Sequence, residues 1–327
     1  MNRKLWAGAG LLFLSYINVL VPQEWALANH FAAGFIFTPC IALFVFGVIF
    51  LSEGVVQKLG GVSLWSLASG GGWRRYVRFF VVAAVVGCFL EVCAQWLGKL
   101  WYYPYYPTWF YWPAFLPSFI LYWVMIAESY TAGKALLDRL LHWGGRQKLR
   151  YYWFEPALYY VLGACGAGLL LFGLLRAYLD YGLTGGYFFN ALSPSMRVPP
   201  LHYIIWASVG LWLLCEGVLY VRQRHSLLHS MLHGYAVPAL AMVGVALALA
   251  LVWESQNARV GYWAYQNWPW PGARLFGVQL SVLADWPMNY VLYLLPAASL
   301  VPAWAPVFFA RPVIAAKERG KGDGRRV

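Results

Sequence analysis

Glu91-Val92-Cys93-Ala94-Gln95-Trp96-Leu97-Gly98, followed by Trp101-Tyr102-Tyr103-Pro104, sets an acid near the end of an apolar helix, a glycine seven residues on, and then an aromatic loop. The same order returns at Glu254, with Gly261, Trp263-Ala264-Tyr265 and a Trp/Pro-rich run ending at Pro271. The two acids lie 163 residues apart, and that offset recurs. It sets Leu51, Glu53, Gly54 and Val55 against Leu214, Glu216, Gly217 and Val218, Trp123 against Trp286, and Met125 against Met288. Asp and Glu together number only 12 in 327 residues, so two acid pairs sharing one offset mark a duplication.

The composition names the solvent of the duplicated unit. Hydrophobic residues make up 61% of the chain and charged residues 11%, outside the range of soluble globular proteins. Apolar runs long enough for about 30 Å of hydrocarbon recur along the whole length. They predict an all-α, polytopic membrane helix bundle with eight spans at about 5–21, 31–52, 77–98, 114–133, 156–178, 203–221, 235–254 and 288–310. The stretch 276–287 is apolar but expected to be broken by Asp285 and Pro287. The units are a first four-helix repeat (1–133), a basic linker (134–150), a second four-helix repeat (151–310) and a basic tail (311–327). Four spans per repeat is an even number, so both copies insert the same way and a pseudo-two-fold axis along the membrane normal is expected. Residues 5–21 read as a first span rather than the core of a cleaved leader, although Ala26-Leu27-Ala28 resembles a cleavage site.

The net charge of +12 points to topology rather than to nucleic acid. With the N-terminus in the cytoplasm, 19 of the 24 Lys and Arg residues fall inside, and only Lys99, Arg176, Arg197, Arg259 and Arg274 fall outside. Both termini are thus expected on the cytoplasmic side of a plasma (inner) membrane, with anionic lipid as the partner of the basic tail. The five cysteines all lie in apolar segments and are read as small hydrophobes without disulfides.

Glu91 and Glu254 are the leading candidates for chemistry. Arg78 marks the inner end of the third span, and thirteen residues at about 1.5 Å each carry Glu91 into the hydrocarbon. A carboxyl there has to be paired or protonated. Gln95 and Lys99 are expected one and two turns further on the same face. Glu91 and Glu254 have a structural reading too, as hydrogen-bonding groups that knit helices together. Glu53 and Glu216, near the cytoplasmic ends of their helices, are read as structural, Glu53 snorkelling or pairing with an inner basic residue, and so are Glu128 and Asp285, at similar interfacial positions without a matching partner. The loop rings Trp101, Tyr103, Trp109, Trp263, Tyr265 and Trp268 serve either as an interface belt or as the lining of a substrate cavity. In the second role their π faces would stabilise cations and stack on an extended apolar ligand. His225, His229 and His233 repeat at i, i+4, i+8 and, with His142, are the only metal-ligand candidates. No acid or cysteine is evident beside them, so they are expected to form a solvated, partly cationic face. There is no Gly-rich phosphate loop, nucleophile elbow or His–Glu zinc-protease motif, and no cofactor is called for.

The run Glu254-x6-Gly261-x-Trp263-x-Tyr265, followed by Phe276-Gly277-Val278 and Trp286, resembles integral-membrane carotenoid-modifying proteins, the lycopene cyclases built of paired membrane halves and the related carotenoid hydratases. The first copy, Leu100-Trp101-Tyr102-Tyr103, is one aromatic longer. The resemblance implies acid-catalysed cyclisation, hydration or isomerisation of a long isoprenoid. The Pro-x-Glu-Glu of the cyclases is replaced here by Leu116-Pro117-Ser118-Phe119 and Val278-Gln279-Leu280-Ser281, so protonation would fall to Glu91 and Glu254. Two other classes compete with this reading. One is a non-enzymatic transporter of lipid or small solute, or a membrane subunit of a larger complex. The other is a metal-dependent membrane oxidoreductase using the histidine stripe.

Overall fold

The computed structural model describes residues 2–105, 108–141, 152–183 and 198–311, with the side chains of 108–116 and 119 outside that description. The described chain is mostly helical. Its helices are α1 (Arg3–Ser15), α2 (Gln23–Ala28), α3 (His30–Lys58), α4 (Leu64–Gly70), α5 (Trp73–Glu91), α6 (Thr108–Leu140), α7 (Glu155–Tyr181), α8 (Leu201–Gln223), α9 (Leu227–Leu232), α10 (Val237–Val260), α11 (Leu280–Leu300) and α12 (Ala305–Phe309). Five of them, α3, α5 with its extension to Leu97, α7, α8 and α10, are long and apolar enough to cross a membrane, as an integral membrane protein requires.

Large apolar side chains face outward along these helices. Val161, Leu171, Leu175 and Leu179 of α7 are all more than half exposed, a surface that suits lipid rather than water. Without a hydrophobic drive between helices in lipid, contact relies on small residues that let backbones approach. A Cβ on Gly166 would lie 2.3 Å from the Leu214 nitrogen, and one on Gly210 would lie 2.3 Å from the Leu170 nitrogen, so α7 and α8 touch backbone to backbone. Helices α1 and α3 meet in the same manner through Gly8 and Gly47. Gly47 and Gly210, and the Leu51 and Leu214 nitrogens that the first-helix glycines face, are again 163 residues apart.

The two short connector helices match as well. Ser63 caps α4 by accepting from the Ser66 nitrogen, and Ser226 caps α9 by accepting from the His229 nitrogen. Such caps satisfy backbone donors that a helix start leaves open. Glu53 ties its connector down by pairing with Lys4 and accepting the Ser63 hydroxyl at 2.8 Å, while Glu216 accepts the Leu228 nitrogen at 3.1 Å. Glu128 accepts the Trp65 nitrogen. These three acids therefore have the structural roles expected of them.

Helix α6 packs against α3, α5 and α10, and α11 packs against α8, α10 and α5. Past the C-terminal ends of α5 and α10, the two aromatic loops meet in an antiparallel ladder, β1 (Trp101–Tyr102) on β2 (Ala264–Tyr265), with Trp101 opposite Tyr265 and Tyr102 opposite Ala264. The Gln266 nitrogen donates to the Leu100 oxygen at 2.8 Å and extends it. A small hairpin, β3 (Arg274–Leu275) on β4 (Val278–Gln279), leads into α11.

Three expectations are corrected. Helix α1 stops at Ser15, gives way to a 3₁₀ turn over Tyr16–Leu20, and alone covers only about 20 Å. The stop is held by Gln256, whose amide donates to the Ser15 oxygen and to Asn18 Oδ1. Helix α11 runs through Asp285 and Pro287 instead of breaking there. A membrane helix tolerates the proline because neighbouring helices supply the packing and hydrogen bonds it forgoes. Finally, α5 continues into a π-helical turn over Val92–Leu97, so Lys99 leaves the face of Glu91. It adopts φ 54°, is buried, and donates to the Tyr181 oxygen at 3.5 Å.

Candidate functional site

A π turn accommodates one extra residue in a helix and re-aims the residues after it. That accounts for the longer aromatic run of the first loop. Counted from the strands, Tyr102 lies opposite Ala264, and Trp101 and Tyr103 flank Tyr102 as Trp263 and Tyr265 flank Ala264. The left-handed residue that follows each helix is Lys99 after α5 and its π turn and Gly261 after α10, with φ 54° and 75°.

The loop rings turn back onto the two acids. Trp101 Nε1 and the Tyr103 hydroxyl donate to Glu91 Oε1 at 3.2 and 3.1 Å. The Tyr265 hydroxyl donates to Glu254 Oε1 at 2.5 Å, and Trp286 Nε1 donates to the same oxygen at 3.2 Å. Asn257 Nδ2 reaches Glu254 Oε2 at 3.4 Å. The same asparagine amide brackets the loop by donating to the Trp263 oxygen and accepting from the Trp263 nitrogen. Burial and the neighbouring carboxylate of Glu254 push the Tyr265 hydroxyl well above the usual tyrosine range, so it stays a donor. Both acids are buried, Glu91 at 8% and Glu254 at 2% exposure.

Both carboxyls line a single cavity of about 490 Å³ between α5, α6, α8, α10, α11 and the two loops. Of the rings expected around them, Trp101, Tyr103, Trp263, Tyr265 and Trp268 are on its wall. Trp268 also ties the loops together, donating from Nε1 to the Leu100 oxygen at 3.0 Å. The side chain of Trp109 lies outside the described residues. The wall also carries Tyr122, Trp123, Trp253, Trp286 and Asp285. The shared offset of Trp123 and Trp286 is their signal in the sequence. Asp285, expected as a structural group at an interfacial position, belongs to the cavity instead because α11 does not break before it; Asn289 donates to it at 3.5 Å.

The two stations differ in their supporting tryptophan. Trp286 donates to Glu254, whereas Trp123 stacks on Tyr293 with centroids 4.9 Å apart, sits against Gly87, and has no partner for its Nε1 among the described residues. The wall reaches the bundle surface at Ile205 and Trp270, which are 49% and 72% exposed, so among the described residues the cavity has a mouth beside α8. Aromatic faces, buried carboxyls and an opening among apolar side chains suit a long apolar guest inserted by one end.

The histidine stripe is not a solvated cationic face. His229 and His233 turn inward onto Glu155, the first residue of α7, with His233 Nε2 2.9 Å and His229 Nε2 3.8 Å from its carboxylate oxygens. Burial, with His233 alongside, pushes His229 down to about 4, so it is neutral at physiological pH. Glu155 is 74 residues earlier in the chain than His229, which is why no acid is evident beside the stripe in the sequence. His225 is not part of this group, and His142 lies outside the described residues.

No protein-family model, curated protein sequence or solved structure matches the chain.

Proposed function

We propose that the chain is an integral membrane enzyme that performs acid-catalysed chemistry on a long isoprenoid or similar apolar lipid, with Glu91 and Glu254 as its proton-carrying groups. The observation that carries this reading is that both acids and five of the six expected loop rings line one apolar cavity. Its volume of about 490 Å³ falls within the range of small-ligand sites, enough for one end of a polyene whose remainder leaves through the mouth beside α8. Ser118 and Ser281, in the stretches that stand where the cyclases carry Pro-x-Glu-Glu, are also on this wall. They favour the carotenoid-modifying resemblance while leaving the acid role to the two glutamates.

In this mechanism a glutamic acid gives its proton to an alkene carbon. A C–H bond forms, the π pair is consumed, and the positive charge on the adjacent carbon faces the rings of Trp101, Tyr103, Trp263 and Tyr265. The glutamate left behind recovers a proton when the cation loses one from a neighbouring carbon, giving isomerisation, when a second alkene first closes a ring by giving its π pair to the cation and the new cation loses the proton, giving cyclisation, or when water adds and releases one, giving hydration. No oxidant is consumed.

The same proposal includes eight crossings in two tandem four-helix repeats about an axis along the membrane normal. Helix α1 with its 3₁₀ extension would supply about 30 Å for the first crossing. The matched caps, the matched glycine contacts and the pairing of Tyr102 with Ala264 support the repeat. The basic residues support cytoplasmic termini in an inner membrane.

The test is a lipid and pigment profile of cells with and without the protein, beside Glu91→Gln and Glu254→Gln. A product formed only with the unaltered chain is expected. A profile identical in all four cultures overturns the proposal.

A further inference from the structure

A second cluster of chemical groups lies at the end of α10 opposite the cavity. Glu155 begins α7, while His229 and His233, one turn apart, lie on α9 and at its C-terminal cap. One donor atom from each residue falls within 4.8 Å of the other two. The side chains are 3%, 9% and 3% exposed for Glu155, His229 and His233. Donors bound tetrahedrally at about 2.0–2.1 Å from an ion sit about 3.3 Å apart, and the Nε2–oxygen distances of 2.9 and 3.8 Å straddle that value.

The surroundings are arranged around the carboxylate. The Tyr220 hydroxyl donates to Glu155 Oε2 at 3.4 Å, and the Tyr152 nitrogen donates to Oε1 at 3.3 Å. Tyr220 stacks on Tyr159 at 4.1 Å, and both rings flank His229. Such outer partners orient metal-ligating groups and hold them in place. The imidazole rings of His229 and His233 lie 4.3 Å apart, on the same side of the Glu155 carboxylate.

The geometry points to a divalent transition-metal site of the zinc class, formed by Glu155, His229 and His233 and clamping the start of α7 to the α8–α10 connector. Two imidazoles and one carboxylate form a known zinc donor set, with a fourth position open to water. The site is too far from the cavity to share its chemistry: Val237 and Glu254 are separated by about 26 Å of helix. In the first half, the residues 163 positions before the two histidines are Ser66 and Gly70, which offer no such set. There the connector is held by Lys4, Glu53 and Ser63 instead. In the second connector the metal thus stands beside the Glu216 bond to the Leu228 nitrogen, where the first connector has an ion pair.

The protein purified in detergent, without a histidine tag, is expected to contain about one zinc per chain by elemental mass spectrometry. Removal by EDTA should lower its melting temperature, with recovery on adding zinc but not magnesium. Cobalt(II) added to the metal-free protein should give the visible absorption of a four-coordinate ion. His229→Ala and His233→Ala should lose the metal, and His225→Ala should keep it. If both cluster variants fail to fold, the cobalt titration of the unaltered chain decides alone. No four-coordinate cobalt band, or zinc content in the unaltered chain no higher than in the cluster variants, overturns the assignment.

Discussion

Glu254→Gln and Glu254→Ala separate the two tasks assigned to this carboxyl. Its Oε1 accepts the Tyr265 hydroxyl at 2.5 Å and Trp286 Nε1 at 3.2 Å, Oε2 is approached by Asn257 at 3.4 Å, and the Trp263 side chain also bonds to the carboxyl. Glutamine keeps an acceptor oxygen for both closer donors and turns its amide nitrogen toward Asn257. The loss is then at most the two weaker bonds, from Asn257 and Trp263, about 0.5–1.5 kcal/mol each. Alanine instead leaves two buried donors unsatisfied at about 1–3 kcal/mol each, together about 2–6 kcal/mol. That is a large share of the 5–15 kcal/mol or so that stabilises an ordinary domain. Thermal unfolding followed by tryptophan fluorescence should place the glutamine variant close to the unaltered protein and the alanine variant well below both. Product formation should behave differently. A positioned general acid is worth about 10²–10⁴-fold, and glutamine cannot supply the proton, so both variants should lose turnover by that factor. A glutamine variant with full turnover would refute the catalytic role and leave Glu254 a structural tie. An alanine variant as stable as the glutamine one would refute the hydrogen-bond reasoning.

Gly166→Ala and Gly168→Ala, two residues apart on α7, should move stability in opposite directions. The first drives a Cβ to 2.3 Å from the Leu214 nitrogen and should cost about 1–3 kcal/mol, whereas the second meets nothing within 4 Å and should gain up to about 1 kcal/mol of helix propensity, both read as melting shifts. Tyr102→Cys with Ala264→Cys should form a disulfide on mild oxidation, because directly opposed residues of an antiparallel ladder sit about 4.5–5.5 Å apart at Cα. With a protease site inserted near residue 146, the halves should then stay joined on a non-reducing gel, and separation would refute the ladder. On a cysteine-free background, Trp270→Cys should react with a membrane-impermeant thiol reagent added outside intact cells, while Lys58→Cys should not. The reverse pattern would overturn the proposed orientation.

The parts of this molecule legible in its sequence are those where a costly residue type has to be placed. Acids are expensive in lipid, so Glu91 and Glu254 stand out, and their spacing leads to the aromatic loops beside them. The caps at Ser63 and Ser226 fall at the same offset, although isolated serines give no reason to notice them. Features made by long-range contact are not legible. The stop at Ser15 depends on Gln256, 241 residues away, and the ladder of two residues per strand depends on two loops arriving together. The inward turn of the histidines depends on Glu155, which sits on a helix start and looks there like an ordinary first-turn acid. Asp285 is hidden for the opposite reason: the proline two residues on would end a helix in water, but this helix is supported from all sides.

The π turn over Val92–Leu97 has a consequence for how a guest molecule is oriented. A pocket whose opposing walls are copies of one another offers a linear chain two equivalent poses, head first toward either carboxyl. One additional residue in one wall removes that equivalence: it shifts the first aromatic run and turns Lys99 toward Tyr181, and on α6 Trp123 lacks the bond that Trp286 makes. The cavity therefore has two unlike ends, and under the proposed function the two glutamates would meet different atoms of the bound chain.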